Sequence, residues 1–153
     1  MEVHIVKNDF AKDYAREQEI WAAYRAAADT KDMAGVEDAR NAHLAFENSL
    51  SAKGSNYVTV YRLYKESCER GNHYIDIGDI RDYRNEAALI RALREMGIDT
   101  FTFSSGWSSA AESAWAFVQN GCTVEGMVEL NGASRNWEDD EFVKVHGYLF
   151  SIH

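Results

Sequence analysis

Apolar residues recur at helical spacing through the first half of the chain. A helix is predicted from about Phe10 to Asp29, with Asn8 or Asp9 as its N-cap. Its apolar stripe comprises Phe10, Tyr14, Trp21, Tyr24 and Ala28. The alternating segment before it, residues 2–7, predicts a short strand.

Two further helices follow the first. Asp32 is the expected N-cap of the second helix, whose apolar face comprises Val36, Ala39, His43, Phe46 and Leu50. Because the connection to the first helix is short, the two should pack as an antiparallel hairpin. A third helix is expected over residues 57–70, and Gly71 should end it in a left-handed conformation.

From His73 onward the pattern alternates and the helices become shorter. Strands are predicted at residues 73–77, 100–103, 122–130 and 143–152, and helices at residues 85–96 and 108–120. Phe101 and Phe103 should share one face of a strand near the centre of the sheet. One side of the third strand should carry Val124, Gly126, Val128 and Leu130.

These elements predict an α+β protein. An N-terminal antiparallel helical hairpin and a third helix precede a C-terminal β-α-β-α-β-β sheet with helices packed on it. The length of 153 residues suits one domain, so residues 1–153 are expected to form a single compact domain. Residues 1–71 form its mainly helical half and residues 72–153 its α/β half.

Composition narrows the class of protein. Hydrophobic residues make up 46% of the chain, which excludes intrinsic disorder. Apolar runs fall short of the roughly 18 residues of a membrane span, and the first residues do not resemble a signal peptide. A cytoplasmic protein without membrane contact is therefore expected. Cys68 and Cys122 form no CxxC motif and should be free thiols.

The acidity of the chain is concentrated near its C-terminus. The formal net charge is −9, and residues 99–153 contain eight acidic and only two basic side chains. Four of the acidic residues are consecutive and follow a tryptophan: Trp137, Glu138, Asp139, Asp140 and Glu141. Such a segment suits docking on a basic protein, because complementary charge speeds association and tryptophan is a frequent binding anchor. The alternative is a solvated acidic loop.

Residues 101–132 also carry a family resemblance. The segment reads FTFSSGWSSAAESAWAFVQNGCTVEGMVELNG, and the tail NWEDDEFVKVHGYLF accompanies it. The resemblance rests on Phe101, Phe103, Ser104, Ser105, Gly106, Trp107, Trp115, Gly121, Cys122, Glu125, Gly126 and Glu129. The segment resembles an uncharacterised family of small proteins from phage, plasmid and other mobile elements of gut Firmicutes. The resemblance covers about the last third of the chain, and it implies a setting in which anti-CRISPR proteins are common.

The serine-rich segment 104–109 has two interpretations. Lying between a strand and a helix, its backbone N–H groups could bind phosphate. Ser109 and Glu112 also fit a capping box, in which hydroxyl and carboxylate satisfy the first-turn donors reciprocally. The capping box is favoured, because Glu112 would repel a phosphate at that helix end.

Two sets of residues suggest catalysis. The first has the chain order of a nucleophile-elbow hydrolase and comprises Ser108, Asp139 or Asp140, and His146. Chain order alone does not define a triad, which requires geometry. The second set comprises His73, Asp76 and Asp79. On a strand His73 and Asp76 point to opposite faces, which makes a poor metal site.

Two helical surfaces are candidate binding faces. Arg84, Arg91 and Arg94 could attract nucleic acid, but Glu95 shares their face and the whole chain is acidic. A solvated surface is favoured there, and direct nucleic-acid binding is not expected. Tyr57, Tyr61 and Tyr64 form a stripe on the third helix, and a homodimer joined through the helical half is a further hypothesis.

The acidity of the chain and the lack of a convincing catalytic set favour a non-enzymatic protein-binding module, and the resemblance implies that it belongs to a mobile element. The most specific form of this hypothesis is an anti-CRISPR-type inhibitor that occupies the basic nucleic-acid-binding surface of a host effector nuclease. The expected partner-binding residues are Trp137, Glu138, Asp139, Asp140 and Glu141, and no catalytic residue, metal site or cofactor is predicted. The alternative is a small hydrolase or nuclease with a site near Ser108 or Asp76.

Overall fold

The computed structural model describes residues 7–78, 85–106 and 108–153. In these residues the helices are α1 Phe10–Asp29, α2 Met33–Ala52, α3 Ser55–Arg70, α4 Glu86–Glu95 and α5 Ala110–Gln119. The strands are β1 Asp76–Ile77, β2 Thr100–Phe103, β3 Cys122–Arg135 and β4 Phe142–Ile152. The predicted α+β class and the order of helices and strands are confirmed. Among the described residues, every helix is too short or too polar to cross a bilayer.

The chain divides into two compact units, residues 1–61 and 62–153. The boundary falls within α3, between Tyr61 and Arg62. The single compact domain expected over residues 1–153 stays a prediction. The strand expected at residues 2–7 lies outside the described residues except for Lys7, which is not in a strand.

In the first unit, α1 and α2 form the predicted antiparallel hairpin. Lys53, directly after α2, lies 3.4 Å from Asp13 near the start of α1. Asp32 caps α2 as predicted, since its side chain accepts a hydrogen bond from the Gly35 backbone at 3.1 Å. The predicted apolar face of α2 is confirmed: His43 is half-buried, and the fully buried members are Val36, Ala39, Phe46 and Leu50.

The apolar stripe predicted for α1 is partly wrong. Phe10 is buried, but the other buried residues are Glu17, Ile20 and Ala27. Tyr14, Trp21 and Tyr24 are half-buried, and Ala28 is exposed. The buried face includes a carboxylate because the Tyr61 hydroxyl donates to Glu17 Oε1 at 2.8 Å, which offsets part of its desolvation.

Within its described residues, the second unit is built on a four-stranded mixed sheet in the order β1-β2-β4-β3. β1 and β2 are parallel, and the other pairs are antiparallel. β2 is internal, as predicted, and Phe101 stacks on Phe150 of β4 with ring centroids 5.2 Å apart. Phe117 of α5 packs edge-on against both rings and against Phe103, which makes this face of the sheet the core of the unit.

Two strands differ from their predictions. Of the segment 73–77, only Asp76 and Ile77 belong to β1. In β3 the register passes from Val124 opposite Phe150 to Gly126 opposite Leu149, so a β-bulge lies between them. The bulge reverses the alternation of sides, and the shared side predicted for Val124 and Gly126 is therefore wrong.

The capping box predicted for α5 is also wrong. Ser109 occupies the N-cap position, but its side chain makes no capping hydrogen bond. α4 is capped as the residue types suggest, because the Asn85 side chain accepts from the Ala88 backbone at 3.1 Å.

Candidate functional site

β3 and β4 are joined by a tight turn over residues 136–141, here called the acidic turn. The Asn136 N–H donates to the Glu141 carbonyl at 2.7 Å, and the Asp140 N–H donates to the Asn136 carbonyl at 2.8 Å. Asp140 has φ 57°, a left-handed conformation that aspartate tolerates better than most residues. These bonds give the acidic turn a defined backbone.

All five predicted partner-binding side chains are exposed on this turn. Trp137 is 92% exposed, and Glu138, Asp139, Asp140 and Glu141 are exposed as well. They lie on an exposed loop directly before the final strand, while their role in binding stays a prediction. The geometry presents one indole among four carboxylates.

Arg135 braces the base of the acidic turn. Its Nη1 donates to the Asp140 carbonyl at 2.9 Å and lies 3.7 Å from the Asp140 carboxylate. Its guanidinium also stacks over the Phe142 ring, 4.1 Å from the centroid. A single arginine offsets one carboxylate at most, so the turn keeps a net negative charge.

A second candidate site is a cavity of about 850 Å³ in the second unit. Gly78 and Ser104 directly follow β1 and β2, and the parallel pairing of these strands brings both residues to the same edge of the sheet. Ligands of α/β sheets commonly bind beyond the carboxyl ends of parallel strands. The polar lining comprises Glu66, Arg70, Asp76, Ser104 and Ser108.

Asp76 is the buried acid of this cavity, with only 4% of its surface exposed. The Thr102 hydroxyl donates to its Oδ1 and the Ser104 hydroxyl to its Oδ2, both at 2.7 Å. The Asp76 backbone N–H donates to the Ser67 hydroxyl at 3.1 Å. Asp76 is therefore fixed in place, and it orients the Ser104 hydroxyl at the cavity wall.

The structure brings Ser108 and Asp76, the residues of the predicted alternative site, to one cavity. The serine that bonds to Asp76 is nevertheless Ser104. In the described part of the chain, the residues of the hydrolase-type set do not come together as a site. Asp139 and Asp140 lie on the acidic turn, and His146 pairs with Glu129 across β3 and β4.

The second catalytic set is not brought together among the described residues either. His73 lines a separate cavity of about 240 Å³, and its ring lies 4.9 Å from that of Tyr74. Asp79 lies outside the described residues.

The arginines and cysteines have other surroundings. Arg84 lies outside the described residues, and Arg91 is exposed. Arg94 donates to the Asn120 and His153 carbonyls, each at 2.8 Å, which gives it a structural role. Both cysteines are free thiols, as predicted, and burial raises the pKa of the Cys122 thiol.

The sequence patterns do not predict the hydroxyls that hold Asp76. Thr102 and Ser104 lie 26 and 28 positions away from it in the chain, so no local spacing reveals the contact. One signal was present, because alternation in β2 places Thr102 on the face opposite Phe101 and Phe103.

The chain has no significant match among curated proteins or among solved structures. A protein-family model does match the chain, over residues 59–152. This segment is longer than the last third of the chain that the resemblance covers. The matched residues include most of α3, the strands β1 to β4, the cavity at Asp76 and the acidic turn. On this match over residues 59–152, the chain belongs to the family described as a domain of unknown function, DUF7698.

Proposed function

We propose that this protein is a non-enzymatic binding module that docks through its acidic turn on a basic surface of another protein. The observation that carries the proposal is Trp137, whose indole is 92% exposed on a turn with a hydrogen-bonded backbone. An ordered turn that presents a large apolar ring loses little conformational entropy when a partner covers it.

The charge of the turn supports a basic partner. Glu138, Asp139, Asp140 and Glu141 are exposed and consecutive, so they repel one another until a cationic surface neutralises them. Complementary charge of this kind mainly raises the association rate and selects the partner. The indole would supply the apolar anchor at the centre of the contact.

In its most specific form, the proposal is that the protein is an anti-defence inhibitor of the anti-CRISPR type. The resemblance of residues 101–132 to proteins of mobile elements supports this setting. The inhibitor would occupy the basic nucleic-acid-binding surface of a CRISPR effector nuclease. If it imitates nucleic acid there, binding should weaken steeply as salt increases.

The test compares two charge reversals that change the net charge equally. Asp139→Lys with Asp140→Lys alters the acidic turn, whereas Glu37→Lys with Asp38→Lys alters an exposed part of α2. Association with a purified, guide-loaded CRISPR effector nuclease is measured at low and high salt, together with DNA cleavage. The turn variant should associate at least about tenfold more slowly at low salt, because steering by charge is lost. The α2 variant should behave like the wild type.

Trp137→Ala distinguishes the contribution of the apolar indole from that of the carboxylates. It should speed dissociation and leave the salt dependence of association unchanged. If the turn variant binds and inhibits as well as the wild type at low salt, the acidic turn is only a solvated loop and the proposal is wrong.

A second candidate function rests on the bond from the Ser104 hydroxyl to the buried Asp76 carboxylate, 2.7 Å long, at the wall of the larger cavity. A hydroxyl oriented by a carboxylate can serve a small hydrolase or nuclease as nucleophile. A fluorophosphonate probe tests this, because it labels activated serines. An enzyme would be supported if the probe labels the wild type but not Ser104→Ala or Asp76→Asn. The exposed Ser51→Ala variant is the control and should still be labelled. An unlabelled wild-type protein would count against it.

A further inference from the structure

Three metal-ligating side chains of the first unit converge between α1 and α2. They are Glu17 on α1 and His43 and Glu47 on α2, and one ligand atom from each lies within 4.8 Å of the others. We propose that this cluster binds a divalent first-row transition cation, which clamps the two helices of the hairpin together. The proposal is independent of the acidic turn and of the cavity at Asp76.

Both carboxylates approach the same imidazole nitrogen. His43 Nε2 lies 3.4 Å from Glu47 Oε1 and 3.8 Å from Glu17 Oε2. One ring nitrogen carries at most one hydrogen, so it cannot donate well to both carboxylates. A cation with bonds of about 2.0–2.2 Å holds neighbouring ligand atoms about 3.0–3.5 Å apart. Small side-chain shifts would therefore place all three ligands on one ion.

Glu17 is the buried ligand, with 3% of its surface exposed. The Tyr61 hydroxyl donates to Glu17 Oε1 at 2.8 Å, while Oε2 faces His43. Tyr61 is itself buried, so its hydroxyl is held against Glu17 as the donor of this bond. Hydrogen bonds to a ligating carboxylate fix its orientation and commonly strengthen metal binding.

His43 and Glu47 are one helical turn apart and share a face of α2. The same i, i+4 spacing places paired ligands of other helical metal sites on one ion. The Trp21 and Phe46 rings lie 4.9 and 6.4 Å from the imidazole ring and restrict its orientation. Both ligands of α2 are partly exposed, so an ion can enter from solvent and water can complete its coordination.

The donor set indicates which cations fit. One imidazole nitrogen and two carboxylate oxygens suit Zn²⁺, Co²⁺, Fe²⁺ or Mn²⁺. Mg²⁺ and Ca²⁺ prefer oxygen ligands throughout and should bind more weakly.

The test titrates untagged protein with Zn²⁺ by calorimetry and by thermal melting, each variant being compared with its own metal-free form. Zn²⁺ should raise the Tm of the wild type by several degrees, because the ion binds the folded state. His43→Ala and Glu47→Gln should abolish this shift, and exposed Glu37→Gln on the same helix should retain it. Tyr61→Phe should weaken Zn²⁺ binding by about 10–100-fold.

Co²⁺ provides a readout that does not depend on stability. The bound ion should show visible absorption of a four- or five-coordinate site, and His43→Ala should restore the weak spectrum of hydrated Co²⁺. Glu47 is half-exposed, so its glutamine variant keeps the test valid if the histidine variant folds poorly. A wild type with no Zn²⁺-dependent shift, or a shift and spectrum that persist in both ligand variants, would overturn the proposal.

Discussion

Asn72 and Asn131 are joined by a pair of hydrogen bonds that imitates the pairing of two strands. Asn72 Nδ2 donates to the Asn131 carbonyl at 2.9 Å, and the Asn131 N–H donates to Asn72 Oδ1 at 2.8 Å. The Asn131 side chain in turn donates to the Arg70 carbonyl at 2.6 Å, which satisfies an acceptor at the end of α3. Because β3 is an edge strand, Asn72 covers backbone groups that would otherwise be open to another chain.

Asn72→Ala should destabilise the protein by about 1–3 kcal/mol, since it removes the partners of two backbone groups of β3. Asn72→Asp keeps the acceptor but places a carboxylate oxygen against the Asn131 carbonyl, so it should not restore the stability that Asn72→Ala loses. Chemical denaturation measures both, with exposed Asn41→Ala on α2 as the control. If the Asn72→Ala protein is as stable as the control, water replaces the two hydrogen bonds between Asn72 and Asn131 without loss of stability.

Phe117→Ala should destabilise by about 3–5 kcal/mol, because it leaves a cavity where the ring contacts Phe101, Phe103 and Phe150. Trp115→Ala is the matched control on α5. The Trp115 side chain is 62% exposed, so its removal should change stability by only about 0.5 kcal/mol. Equal losses for the two variants would show that the core of the second unit is placed wrongly.

Tyr61 should ionise later than an ordinary tyrosine. Burial, then the hydrogen bond to Glu17, raises the pKa of Tyr61 above its ordinary 10.0. The folded state therefore holds this proton more tightly than the unfolded state. Its contribution to stability is full below pH 10.0 and is lost as the pH rises from there towards the folded pKa.

Absorbance titration of tyrosinate in the native protein measures this effect, with circular dichroism to confirm folding. Tyr61→Phe should remove one late-ionising group from the titration. Tyr24→Phe, at a half-buried position on α1, is the control and should leave that late-ionising group in place. If Tyr61→Phe leaves the late-ionising groups unchanged, as the control does, Tyr61 is accessible to solvent and the contact with Glu17 is weak.

Gly121→Ala should destabilise by at least about 1–2 kcal/mol, because Gly121 has φ 90° and a side chain disfavours that conformation. A Cβ there would also lie 2.5 Å from Arg94 Nη2, which bonds to the Asn120 and His153 carbonyls. Gly126→Ala is the control, since a Cβ at that position meets nothing within 4 Å. Equal Tm values for the two variants in thermal melts would show that the backbone conformation at Gly121 does not require glycine.

The elements of this fold could be predicted because their signals are local. The Asp32 cap and the helical spacing of Val36 and Phe46 define α2 without any knowledge of distant residues. The segment 73–77 alternates like a strand, but only its last two residues belong to β1. Which residues pair depends on β2, which has four residues and lies more than twenty positions away.

The contacts within the candidate sites could not be predicted in this way. Glu17 looks like a solvent-facing residue until Tyr61, 44 positions later, supplies its partner. Asp76 likewise needs hydroxyls from Thr102 and Ser104. The acidic turn is the exception, because a run of four carboxylates can be placed at the surface on electrostatic grounds alone.

The strand order of the sheet also bears on how the protein is made. β4 follows β2 and β3 in the chain but lies between them in the sheet, so these two cannot be joined until β4 has left the ribosome. Until then Phe101 lacks the Phe150 ring on which it stacks, and β2 has an open edge. A pause in translation before residue 142 would therefore leave a nascent chain with exposed aromatic rings and an unpaired strand, a form prone to aggregate and suited to chaperone binding.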